Sequence, residues 1–160
     1  MNEIILDMID YFGSDVKRIN HALKVYSFSL IIGGNENLTD EKKTIIELTS
    51  ILHDVGIKES EKKYKSTAGN YQEIEGPPIA EALLKKRGIC KEIIDRARYI
   101  IGNHHTYSKI DDIDFQILVE ADLIVNIYED EANKKEIENV YNKIFKTKTG
   151  KYLLQSMYLG

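Results

Sequence analysis

The chain has almost no means of cross-linking itself: among its 160 residues Cys90 is the only cysteine. One thiol can close no intramolecular disulfide and build no thiolate metal cluster, and such usage suits a reducing cytoplasm. Cys90 itself reads as a small packing residue. No stretch approaches the roughly 20 apolar residues of a membrane span. The start, Met1-Asn2-Glu3-Ile4, lacks the basic residues and unbroken apolar core of a signal peptide. Positive charge is not in excess either. Lys and Arg number 22 against 26 Asp and Glu, a net charge of −4, so nothing draws the chain generally to nucleic acid polymers or anionic lipid. Internal repeats, low-complexity tracts and long linkers are also missing. These absences leave a cytoplasmic protein whose natural partner is a small molecule. Its length suits one domain, burying about two thirds of its unfolded surface around one core.

The alternation of a half-buried strand is missing as well, and nearly every apolar cluster has helical spacing, so the expected class is all-α. Ile4, Ile5, Met8, Ile9 and Phe12 make one stripe, stopped by Gly13. Ser14 as N-cap and Asp15 in the first turn open a helix through His21 to about Ile32. Thr39 caps the next helix, with Asp40 and Glu41 near its positive end, and that helix carries Ile45, Leu48, Ile51, Leu52 and His53 before Gly56. Residues 58–71 are polar and without periodicity, which predicts a surface loop. Gly76-Pro77-Pro78 reads as a helix start running to Gly88. A further helix spans about Lys91 to Gly102, a strongly apolar one opens at Asp111 to Asp114 and ends near Glu129, and one or two amphipathic helices follow. The lysines from Lys143 to Lys151 lack the earlier glycine of a phosphate-binding loop and read as solvent-facing.

Against this apolar background a few ligand-type residues stand out. Residues 117–128, ILVEADLIVNIY, are apolar almost all round, so Asp122 sits in an interior helix where an unpaired carboxylate would tend to protonate. His21 interrupts another apolar segment and has Arg18 one turn before it. His53 and Asp54 are adjacent, about 100° apart on a helix, and can reach one point only near the edge of a face or where the helix ends, as Gly56 allows. Each has a bland explanation alone: a lone histidine is usually a hydrogen-bonded core residue, and a buried aspartate can cap or pair. Two imidazoles and two carboxylates sharing one burial cost have a simpler common cause, a divalent cation. The arginine beside it suits an anionic substrate.

The order His21, then ILHDVGIK with His53-Asp54, then GNHHTY, then VEADLIVNI with Asp122 resembles the HD-domain metal-dependent phosphohydrolase superfamily, over roughly residues 14 to 130. The resemblance implies an all-α, compact multi-helix bundle in a single domain, residues 1–160, with C-terminal helices over 131–160. It implies a metal held by His21, His53, Asp54 and Asp122, of Mn, Fe, Co, Ni or Zn type. The expected activity is hydrolysis of a nucleotide or other small phosphorylated metabolite by a metal-activated water that Asp54 orients. Arg18 and Lys58 would offset phosphoryl charge, and His104 or His105 would protonate the leaving oxygen; adjacent histidines at a helix end diverge, so at most one is expected to face the site. Glu75 is assigned to the substrate side, although a carboxylate just before a helix N-terminus is stabilised there anyway. Two departures stand beside the likeness. Gln72 and Glu75 lie near where two-metal relatives carry a histidine, while His104 and His105 could match their later one, so a second metal has room but lacks support, and Ile57 separates the glycine from Lys58. Two other readings keep the fold: a non-catalytic metal- or nucleotide-binding regulatory module, and a di-iron oxygenase fed by Glu75, His104 and His105. The C-terminal helices serve either a homodimer or the same core.

Overall fold

A computed structural model describes residues 1–160. The chain is all-α, with helices α1 (Asn2–Phe12), α2 (Val16–Gly34), α3 (Asp40–Leu52), α4 (Ile57–Tyr64), α5 (Gly69–Lys86), α6 (Lys91–Ile101), α7 (Ile113–Glu129), α8 (Lys134–Lys143) and α9 (Lys148–Leu154). No strand forms, and no helix is long and apolar enough to cross a membrane. The boundaries follow local chemistry. Gly13 ends α1 with φ of +65°, a left-handed conformation that a side chain would resist. Thr39 caps α3 by accepting from the Lys42 amide, as expected. The cap of α2 is Asp15, one residue later than Ser14, because its carboxylate takes both the Arg18 amide and the Arg18 guanidinium.

Two stretches differ from expectation. Residues 58–64, anticipated as loop, form most of α4: Ile57, Ser60 and Tyr64 recur at helical spacing, and the buried Ser60 hydroxyl donates to the Gly56 carbonyl. The chain crosses α5 at very close range here. A Cβ on Gly56 would lie 2.5 Å from the Gln72 carbonyl oxygen and 2.6 Å from the Gly76 nitrogen. The second difference is α5 itself, which begins at Gly69 and carries Pro77 and Pro78 in its interior rather than at its start. Each proline removes one helical donor, leaving the carbonyls of Glu73 and Ile74 without their partners four residues on. Cys90, expected to pack, is exposed at the head of α6.

Instead of one core there are two apolar clusters. One gathers around α7, with Phe115, Ile117, Leu118 and Ile124 fully buried among α2, α3, α8 and α9. The other joins α1, α3, α5 and α6 through Met8, Leu52, Leu84 and Ile101. Helices α2, α3 and α6 supply side chains to both. A buried carboxylate locks the periphery: Asp7 of α1 accepts from Lys86 and Arg87 at the end of α5. Glu120, with no exposure at all, accepts from Gln116 and from the Lys146 and Thr147 amides, which fastens the start of α9 to α7.

Candidate metal centre

The adjacency problem of His53 and Asp54 is solved by the end of α3. That helix stops at Leu52, and residues 53–56 form a turn before α4. Both side chains therefore leave the helix direction toward the same point, with His53 Nε2 and Asp54 Oδ2 3.5 Å apart. His21 comes from the first half of α2 and Asp122 from the middle of α7. His21 Nε2 lies 3.2 Å from His53 Nε2, 3.1 Å from Asp122 Oδ1 and 3.5 Å from Asp54 Oδ2. His53 Nε2 lies 3.6 Å from Asp122 Oδ1. Each carboxylate thus approaches both imidazoles. Donors bound to one ion at about 2.0 to 2.2 Å stand roughly 3 to 3.5 Å from one another, so His21, His53 and Asp54 have the spacing of a single coordination shell, with Asp122 against both imidazoles.

The outer nitrogens explain why the inner ones converge. His21 Nδ1 faces Glu129 Oε2 at 2.8 Å, His53 Nδ1 faces the Ser50 carbonyl at 2.9 Å, and His104 Nδ1 faces the Ile101 carbonyl at 2.8 Å. An acceptor at every Nδ1 holds the proton there and leaves each Nε2 lone pair pointing inward, the arrangement that metal-binding histidines need. Electrostatics agree. Burial opposes charge on His21, but the hydrogen bond to Asp122 and the charges of Asp54 and Asp122 prevail and lift its pKa to about 9. His53 is raised against burial by Asp54 and Asp122. Burial likewise pushes the carboxyls of Asp54 and Asp122 up, yet the facing imidazoles hold both well below the usual range. Without a cation the centre balances itself with protons; a divalent ion fits the same donors.

The turn after α6 sets the His104 and His105 rings 4.0 Å apart, each with a nitrogen within 4.8 Å of the Asp54 carboxylate group, and of the two only His105 lines the cavity. His104 Nε2 is 3.4 Å from Asp54 Oδ1, is buried, and has no hydrogen-bond partner. His105 Nε2 meets Gln72 Oε1 at 3.3 Å. Burial and the neighbouring His104 push the His105 pKa down to about 4.

The remaining expected residues fall in different places. Arg18 lines the cavity over the centre, but its guanidinium makes a two-pronged pair with Glu61 at 2.7 and 2.9 Å and another with Asp15. Lys58 lies apart from the cavity lining: its ammonium donates to the Tyr11 carbonyl and sits 5.1 Å over the Tyr11 ring. Glu75 is also outside the lining. Since α5 starts earlier than expected, Glu75 lies inside the helix and binds Lys63 and Tyr64 of α4. Glu129 and Asn126 had not been singled out. Asn126 donates to Asp122 Oδ1 at 2.9 Å, and Glu129 holds His21 and Lys24. Their signal was present: Asp122, Asn126 and Glu129 recur at i, i+4 and i+7 on one face of an otherwise apolar helix.

Neither a family model nor a curated protein sequence matches the chain. Among solved structures, it is similar to the crystal structure of a "predicted HD superfamily hydrolase" from an uncultured Thermotogales bacterium. The two share 18% identity and a TM-score of 0.72, over 99% of this chain and 85% of the other. The chain therefore shares the all-α fold of that structure.

Proposed function

We propose that the chain is a metal-dependent phosphohydrolase acting on a nucleotide or other small phosphorylated metabolite. What carries this reading is the convergence of His21, His53 and Asp54 at coordination-shell spacing, with Asp122 against both imidazoles and each imidazole Nδ1 tied back to an acceptor. These four residues would hold a divalent transition cation; mixed imidazole and carboxylate donors suit Mn, Fe, Co, Ni or Zn better than Ca. When bound, such a cation lowers the pKa of water toward neutrality and polarises a phosphoryl oxygen. The other tasks belong to side chains. Asp54 accepts a hydrogen bond from the attacking water and sets its direction. His104 lies outside the cavity lining with its Nε2 toward Asp54, so it would steady that carboxylate, and the departing oxygen takes its proton from water. His105, neutral above about pH 4, serves as a hydrogen-bonding wall rather than a charged acid. Lys17 is the cavity cation outside any ion pair and attracts the phosphoryl group, whereas Arg18 reaches it only by leaving Glu61.

Asp54, His104 and His105 also form a second donor group that shares Asp54 with the first. This favours, as a second reading, a two-cation centre, whose oxidative form would carry two irons and a visible absorption band. The decisive experiment measures metal content together with phosphate release from a phosphoester panel for wild type, His53→Ala and Asp54→Asn. Wild type is expected to retain about one transition cation per chain, with both variants losing cation and at least about a hundredfold in rate. Negligible metal that no divalent cation restores, or unchanged activity in both variants, defeats the reading.

A further inference from the structure

We infer that the phosphorylated substrate is the monophosphate of a polyhydroxylated, base-free molecule, a sugar or polyol phosphate, rather than a nucleotide. This rests on the hydrolase reading and narrows it. The cavity over the centre has a volume of about 490 Å³, within the ordinary range for a small-molecule site, so room alone does not choose. Its walls do. Small-molecule sites are mostly apolar and aromatic, with a few polar groups to fix orientation. Here Ile57 is the single apolar side chain in the lining, and no Phe or Tyr contributes; the sequence has no Trp. The imidazoles in the lining are engaged, His21 with the centre and His105 against the His104 ring and Gly69, so a purine or pyrimidine would find no free ring to stack on and no apolar slot, and would exchange good hydration for polar walls.

The free polar atoms point the same way. Most polar side chains around the cavity are already committed: the Gln72 amide to Thr67 and His105, Glu129 to His21 and Lys24, Arg18 to Asp15 and Glu61. Among those left without a side-chain partner are the Thr67 hydroxyl, Asn126 Oδ1, the Asp130 carboxylate and the Lys17 ammonium. Asn126 Oδ1 and Asp130 are acceptors, and the natural complement to a carboxylate beside an amide oxygen is a hydroxyl that donates. Charge limits the phosphate count. Lys17 is the one cavity cation not paired, and Asp130 adds negative charge, so a second or third phosphoryl group would meet repulsion that one does not. A single phosphoryl group at the centre with hydroxyls along α7 satisfies every group that is free.

The test compares ribose 5-phosphate with AMP and UMP, which differ from it by the base alone. Manganese-loaded full-length protein is used, with p-nitrophenyl phosphate as an indicator of hydrolysis as such. Ribose 5-phosphate is expected to give kcat/KM at least equal to either nucleotide, and ADP and ATP to fall below AMP. A nucleotide advantage of about fivefold or more, the least that a stacked base contributes, overturns the inference while leaving the hydrolase reading intact. If p-nitrophenyl phosphate and every ester resist hydrolysis, the hydrolase reading falls; calorimetric titration of ribose 5-phosphate against AMP then decides the selectivity by itself. Asp130 is exposed, so Asp130→Ala leaves folding aside. It is expected to raise KM for ribose 5-phosphate about threefold or more with kcat little changed, as loss of a ground-state hydrogen bond does; an unmoved KM removes Asp130 from the binding surface and overturns the hydroxyl assignment.

Discussion

At the scale of single residues, the contrast between two acids on α7 is instructive. Glu120 and Asp122 are both buried. Glu120 is answered by backbone amides and by Gln116, so its burial is settled within the protein. Asp122 is answered by imidazoles whose other nitrogens are themselves anchored. The sequence made Asp122 legible because its helix is apolar and because His21 and His53 demanded a partner. It could not separate Asp122 from Glu120 by burial, since the amides that satisfy Glu120 come from residues 146 and 147, far along the chain. Glu129 holds His21 Nδ1 and so fixes which imidazole nitrogen faces the centre. Glu129→Gln keeps the shape but presents a weaker acceptor. Its expected effect is a loss of about 10- to 100-fold in manganese or zinc affinity with unchanged helix content, read by calorimetry and circular dichroism. Affinity equal to wild type would make Glu129 a surface pair with Lys24 and no more.

Among the elements, the helices with clean caps were legible and the two hidden by composition were not. Gly13, Thr39 and the apolar runs of α3 and α7 announce themselves. Helix α4 did not, because eight residues rich in Lys and Glu bury only Ser60 and half-bury Ile57. Pro77 and Pro78 misdirected the start of α5, since proline favours first turns and only tertiary packing sustains it further in. The same level holds a pH-dependent tie. Hydrogen bonds from Arg87 and Lys86 hold the Asp7 carboxyl well below the usual range. A depressed folded-state pKa stabilises above the unfolded value of about 3.9 and loses that contribution as pH falls below it. The gap in urea midpoint between wild type and Asp7→Asn is therefore expected to be widest above about pH 5 and to shrink steadily toward pH 2. A gap that stays constant over that interval would show that the pair adds nothing through its charge.

For the molecule as a whole, the centre joins three helices, α2, α3 and α7, whose contributing residues lie 32 and 101 positions apart in sequence. Two of those helices also feed both apolar clusters. A cation bound only by the folded chain stabilises it by about 2.7 kcal/mol at a hundred times its Kd. For this size that corresponds to roughly 5 to 10 °C in Tm. Calorimetric melting across a manganese series is expected to show one transition moving upward by that amount. Two separating transitions would mean that the clusters unfold independently. One contact away from the ligands governs how far the centre stands open. Backbone meets backbone where Gly56 crosses Gly76, and the turn bearing His53 and Asp54 leads directly into that crossing. The first turn of α5 carries Gln72, a cavity wall. The gauge of the cavity is thus set by one missing side chain: a single methyl group on Gly56 would press on the Gln72 and Gly76 backbone and wedge the wall away from the ligands without altering any residue that touches the ion or the substrate.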